Sequence, residues 1–170
     1  IVERMVGRTW FVGSNEQTAA QIEASWKEGV AQLEAHLAGR SYLFGERPAF
    51  GDFGLWGQVY NAWTDPTCGA MLEQGAPNTL AWVKRMLEPE SLGDFEAWNA
   101  LAPTLTPFLE RQVGTLFLPW SDANARAIAD GSEEFSIELD GQTWMQKPQK
   151  YHARSLKALR ARYADTRGHA

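Results

Sequence analysis

The run Leu43-Phe44-Gly45-Glu46-Arg47-Pro48-Ala49-Phe50-Gly51-Asp52-Phe53-Gly54-Leu55-Trp56-Gly57-Gln58 puts a turn, a helix start and an apolar face into one stretch. Pro48 fixes its own φ and disfavours helical geometry at Arg47, so a new element begins at Ala49 or Phe50. Asp52 then falls in the first turn. Its carboxylate can accept backbone N–H groups that have no helical partner, and it meets the positive end of the helix dipole. This is a structural role, that of a helix cap. Ala49 has no hydroxyl, so one half of a reciprocal capping box is missing. Phe53, Trp56, Val59, Tyr60 and Trp63 recur at helical spacing and form a stripe broad enough for the centre of a bundle. Gly51, Gly54 and Gly57 cost helix propensity but would let neighbouring helices approach closely.

Outward from this run the chain reads as helices. Ser14 with Gln17 is a capping-box signature, and Ile22, Trp26, Val30, Leu33 and Leu37 trace one face until Gly39 stops the helix. A loop over 39–48 leads to the helix at about 50–63, which Asp65-Pro66 terminates, and a short helical piece follows at 66–73. Pro77-Asn78-Thr79 opens a helix through Leu80, Val83, Met86 and Leu87, closed by Pro89. After a loop over 88–95, apolar-rich helices are expected near 99–117 and 120–130, the second capped by Ser121-Asp122.

Near the C-terminus the period changes. Phe135, Ile137 and Leu139 alternate with polar residues, Asp140-Gly141 signals a type I′ turn, and Thr143 to Met145 can return as a second strand. An isolated hairpin is marginal in water, so this one should lie against helices. A final helix after Pro148 is expected to turn Tyr151, Leu156, Leu159 and Tyr163 inward. The fold class is therefore all-α with a small peripheral β-hairpin, and residues 1–170 are taken as one domain.

At 170 residues with 44% hydrophobic content the chain can bury a substantial core. A single cysteine, Cys68, excludes an internal disulfide framework and suits a reducing, cytoplasmic setting. No apolar run approaches the roughly 20 residues needed to cross a bilayer, so no membrane partner is expected. The chain opens at Ile1 without a methionine, and Ile1, Val2, Met5, Val6, Trp10 and Phe11 read as the tail of an apolar-faced helix. The expectation is a fragment of a longer helical protein.

The net charge of −5 conceals an asymmetry: residues 147–167 carry seven cations against Asp165, and the rest of the chain is strongly acidic. The simplest reading has the basic final helix docking on its own acidic body. No DNA- or RNA-binding motif accompanies these cations, so no nucleic-acid partner is expected.

Catalytic signatures are absent from the sequence. His36, His152, His169 and Cys68 are scattered without metal-ligand spacing, and no metal site is expected. There is no nucleophile elbow, phosphate loop or dinucleotide fingerprint. Cys68 lies near a helix start, where a thiolate can be stabilised, but it reads better as a small, partly buried thiol.

The Asp52 run resembles the start of the central helix in the C-terminal all-helical domain of glutathione transferases, which carries an aspartate at its third position. Trp82-Val83-Lys84-Arg85-Met86 is similar to a Trp-x-x-Arg-Met segment of many bacterial members. Gln146-Lys147-Pro148 with Lys150-Tyr151 is similar to the closing segment of one bacterial subgroup. The resemblance spans roughly residues 14–165.

It implies a helical domain that supplies the apolar wall of a cleft for a small hydrophobic electrophile. Trp10, Phe11, Tyr60 and Trp63 are the substrate-binding candidates, with core packing as the competing reading for those on helices. It also implies a partner N-terminal thioredoxin-like domain, absent from this chain, that binds and activates glutathione, the co-substrate of the parent protein. This chain would then hold no cofactor and no catalytic residue of its own, and would be inactive alone. A homodimer interface is compatible with the resemblance. Because fold does not fix function, a non-catalytic protein-interaction module with the same helical fold is the alternative.

Overall fold

The computed structural model describes residues 8–167. In chain order it holds a short 3₁₀ turn (Thr9–Val12), α1 (Ala19–Leu37), α2 (Phe50–Thr64), α3 (Pro66–Gly75), α4 (Pro77–Arg85), α5 (Trp98–Phe108), a π-helical segment (Leu109–Phe117) and α6 (Leu118–Ala129). A hairpin of β1 (Phe135–Leu139) and β2 (Gln142–Gln146) follows, and α7 (Lys150–Arg167) closes the chain. The fold is all-helical apart from this hairpin, as expected. Two compact units are present. One contains the described residues up to Glu23 and from Glu110 onward, and the other is Ala24–Leu109. Ile1, Val2, Met5 and Val6, read above as a helix tail, lie outside the described residues.

The Ala24–Leu109 unit is organised around Leu37, Tyr42, Leu43, Val59, Leu72, Trp82 and Val83, all buried. Trp26, Trp56, Tyr60 and Trp63 pack against this cluster half-buried. The predicted stripe on α2 is therefore correct except at Phe53, which is exposed, as is Phe50 one turn earlier. The glycine expectation of close helix approach fails, since a Cβ on Gly51 would meet the Phe44 side chain of the preceding loop. A Cβ on Gly54 or Gly57 would meet nothing within 4 Å. The close approach is at Gly69 of α3, where a Cβ would run into the Trp63 carbonyl oxygen. Asp65 serves two helices: it follows the last turn of α2, and its Oδ1 accepts the N–H groups of Thr67 (2.9 Å) and Cys68 (3.0 Å) to cap α3. With that cap, α3 extends to Gly75, beyond its expected end at 73.

Helix α4 has no cap from its own sequence, since Ala76 carries no acceptor. Glu34 of α1 takes that role. Its carboxylate accepts from Asn78 N (3.0 Å), Asn78 Nδ2 (2.7 Å), Thr79 N (2.8 Å) and Thr79 Oγ1 (2.9 Å), placing an anion at a helix N-terminus. The loop after α1 is clasped by residues 90–96. Tyr42 Oη donates to Glu90 O (2.7 Å), Leu92 N and Gly93 N donate to Glu46 O, and Glu96 N donates to Phe44 O. Gly45 at the centre of this clasp has φ of 125° and lies against the Asp94 carbonyl, so only glycine fits.

In the other unit, the hairpin forms in the predicted register, with Ile137 opposite Trp144. Asp140 (φ 54°) and Gly141 (φ 71°) give both positive dihedrals of a type I′ turn. The hairpin lies on helices, as expected: Leu139 is buried and its carbonyl accepts from Gln21 Nε2 at 2.7 Å, while Trp120 of α6 packs beside Phe135.

Three helical expectations change here. The cap before α1 is Asn15 rather than Ser14, because Asn15 Oδ1 accepts from Gln17 N (2.9 Å) and Thr18 N (3.1 Å). Thr18 Oγ1 returns the bond by accepting Asn15 N at 3.0 Å. Helical geometry is continuous in the chain from Trp98 to Ala129, so Ser121 and Asp122 do not start a helix. Ser121 is instead buried inside α6. On α7 only Leu156 of the four expected inward residues is buried, while Tyr151 (78%), Leu159 (45%) and Tyr163 (64%) are exposed. The basic helix does reach an acidic group within its own unit, through Arg160 to Asp122.

Candidate functional site

Asp52 is fully buried and holds three donors. Oδ1 accepts Leu43 N (2.8 Å) and Trp82 Nε1 (3.0 Å), and Oδ2 accepts Ala49 N (2.9 Å). The Ala49 bond is the half of the capping box that the sequence retains. Since Ala49 lacks a hydroxyl, the Asp52 N–H turns to the Ala49 carbonyl instead. Three hydrogen bonds compensate the desolvation of the carboxylate, and they tie the loop before α2, the start of α2 and the indole of α4 to one group. The Trp82 contact is not local in sequence, and only the Asp-to-N-terminus half of the arrangement was readable beforehand.

The helix positioned by this lock carries a row of aromatic rings one turn apart. Trp56 and Tyr60 have centroids 4.9 Å apart, and Tyr60 meets Trp63 edge-on at 5.9 Å. Trp56 is fixed by its Nε1–H, which donates to Val83 O at 3.0 Å. Lys84 Nζ lies 5.9 Å from the Trp63 ring centroid, within reach of a cation–π contact. The structure thus brings Tyr60 and Trp63 together, and it adds Trp56, whose i, i+4, i+7 spacing with them was the available signal. Each ring packs on the core by one side and stays partly accessible. Such a row offers dispersion, edge-to-face and cation–π contacts to an apolar molecule.

Trp10 belongs to the other unit and sits in the Thr9–Val12 turn that Gly13 ends with φ of 72°. It is 43% exposed, and Lys147 Nζ lies 5.3 Å above its ring. The side chain of Phe11 lies outside what the structure describes. Cys68 is half-buried in the first turn of α3, where Asp65 binds its backbone N–H.

A second buried polar network stands behind α1. His36 is 1% exposed. Its Nε2–H donates to Leu43 O (2.7 Å), which leaves Nδ1 to accept the Thr104 hydroxyl at 2.8 Å. Burial holds the imidazole below its ordinary pKa against the opposing pull of the Leu43 bond. Arg40 spans the same region, reaching both Glu96 oxygens (3.1 and 3.0 Å), His36 O (2.8 Å) and Ala100 O (2.8 Å). With every ring nitrogen and most guanidinium donors engaged, these groups brace the scaffold.

Among the described residues no group of three or more His, Cys, Asp or Glu side chains could hold a metal ion. No helix among them is long and apolar enough to cross a membrane. Compared with known families, residues 16–85 match the C-terminal domain of glutathione S-transferase. No curated protein and no solved structure matches the chain.

Proposed function

We propose, from the match of residues 16–85 to the C-terminal domain of glutathione S-transferase, that this chain supplies the helical wall of an electrophile-binding cleft, with glutathione held by a thioredoxin-like domain outside residues 1–170. The observation that carries this reading is the Trp56, Tyr60 and Trp63 row on the helix that Asp52 locks. The reaction of the whole protein would be attack of a glutathione thiolate on a small apolar electrophile. Thiol activation would come from the other domain, by lowering the thiol pKa. The part played here is binding: Tyr60 and Trp63 give the electrophile a polarisable surface, and Lys84 biases it toward electron-rich faces. A reducing, cytoplasmic setting fits both the glutathione requirement and the lone Cys68.

The test compares residues 1–170 with the product of the full reading frame on immobilised glutathione. Retention of the longer form alone is expected. Retention of neither form would replace this reading with a non-catalytic interaction module. In an active longer form, Trp63→Ala is expected to raise KM for an aryl electrophile by about tenfold with kcat little changed, since uniform binding is what it removes. A fall in kcat at constant KM would contradict the wall role.

A further inference from the structure

The unit containing α6 and α7 holds a groove of about 760 Å³ that lies outside the family-matched residues. Val113 of the π-helical segment, Leu118 of α6, and Leu156 and Leu159 of α7 line it. Leu156 is buried, whereas Leu118 and Leu159 keep 39% and 45% of their surface in contact with solvent. Gly114 and Ala164 add little bulk. A half-open apolar space of this size falls within the range of small-molecule pockets, about 300–1,000 Å³.

The charged groups in the lining are Asp122 and Arg160. Asp122 Oδ1 accepts from Arg160 Nη2 at 2.6 Å, and its other oxygen pairs with Arg126. Two guanidinium groups on one carboxylate leave an excess positive charge. The hydrogen bond from Arg160, foremost, holds the Asp122 carboxyl below its ordinary pKa. The flanking cations Arg154, Lys157 and Arg162 on α7 have no ion pair among the described residues. An anionic head group at Arg160 therefore meets a favourable field, and a cationic one a repulsive field.

We propose that this groove binds an amphipathic carboxylate of fatty-acid type, its hydrocarbon tail along Val113, Leu118, Leu156 and Leu159 and its carboxylate on the Arg160 guanidinium. Apolar walls favour the tail, and the Arg160 N–H groups not given to Asp122 can donate to the head group as charge-assisted hydrogen bonds.

Calorimetric titration of the chain with dodecanoate, kept below its micelle concentration, tests this. Saturable binding with one molecule per chain is expected. Arg160→Glu should weaken it by roughly tenfold or more, the loss of a charge-assisted hydrogen bond. Arg162→Glu, on the same helix but not in the lining, should change it far less. Leu159→Asp should also weaken it while leaving the thermal melt in place, because Leu159 is solvent-exposed. Absence of saturable binding would overturn the proposal. So would equal affinity for dodecyltrimethylammonium, or equal losses in Arg160→Glu and Arg162→Glu, which would signal only bulk charge attraction. None of these readouts involves glutathione.

Discussion

Helices α2 and α7 each carry aromatic and aliphatic residues at helical spacing, α7 with cations between them, yet they are held in opposite ways. In α2, Asp52 and Val59 are buried, and Leu55, Trp56, Tyr60 and Trp63 rest against the core. In α7, Leu156 is the one buried residue among those described, and both tyrosines face solvent. Periodicity reports which side of a helix is apolar, not what covers that side. What separates the two is a buried polar group with distant partners. Asp52 binds Leu43, Ala49 and Trp82 at once, whereas the ionic partner of α7, Asp122, is partly open to solvent.

The largest expected effect breaks that difference directly. Asp52→Ala leaves Leu43 N–H and the Trp82 indole N–H buried without acceptors and should cost about 3–5 kcal/mol in urea unfolding. A loss below about 1 kcal/mol would mean that α2, like α7, is held by its apolar stripe alone. Next comes packing between α2 and α3. Gly69→Ala forces a methyl against the Trp63 carbonyl and should cost about 1–3 kcal/mol, whereas Gly54→Ala, with open space around it, should stabilise by about 0.5–1 kcal/mol. Opposite signs at two helical glycines would show that a close approach, not propensity, decides them.

A pH effect from a buried group belongs to the same unit. Burial lowers the pKa of His36 in the folded chain below the ordinary 6.5, so the unfolded chain takes up the proton more readily. Stability from this group is complete above pH 6.5 and declines as the pH falls through that value toward the folded pKa. Denaturant midpoints measured across this range should drop on acidification, and His36→Gln should flatten the drop. An unchanged slope in that variant would assign the acid sensitivity to other groups.

How much of this was legible follows from where each signal resides. The start of α2, the type I′ turn and the Asp65-Pro66 junction are written in neighbouring residues, and each forms as expected. The Glu34 cap on α4 and the clasp of residues 41–47 by 90–96 link positions more than 40 apart, where no local pattern exists. The Ser14 expectation missed by one residue because Asn15 and Thr18 satisfy the same reciprocal chemistry. The break expected before Ser121 failed because helical geometry continues through the π segment between Pro107 and Pro119. Of the candidate site, Tyr60 and Trp63 could be named from spacing, whereas the groove beside α7 could not, since it arises from residues 113–122 meeting residues 156–164.

The smallest expected effect bears on α7 itself. Leu159→Ala removes a side chain that is nearly half in water, so it forfeits little burial and opens no closed cavity. Urea unfolding should move by no more than about 0.5 kcal/mol. The same substitution at Leu156, three residues away and buried, would remove contacts on every side, so the pair separates burial from helical position on one element. If Leu159→Ala instead cost as much as a core truncation, the outer face of α7 would be packed in solution, and the groove beside it would be filled by protein rather than open to a ligand.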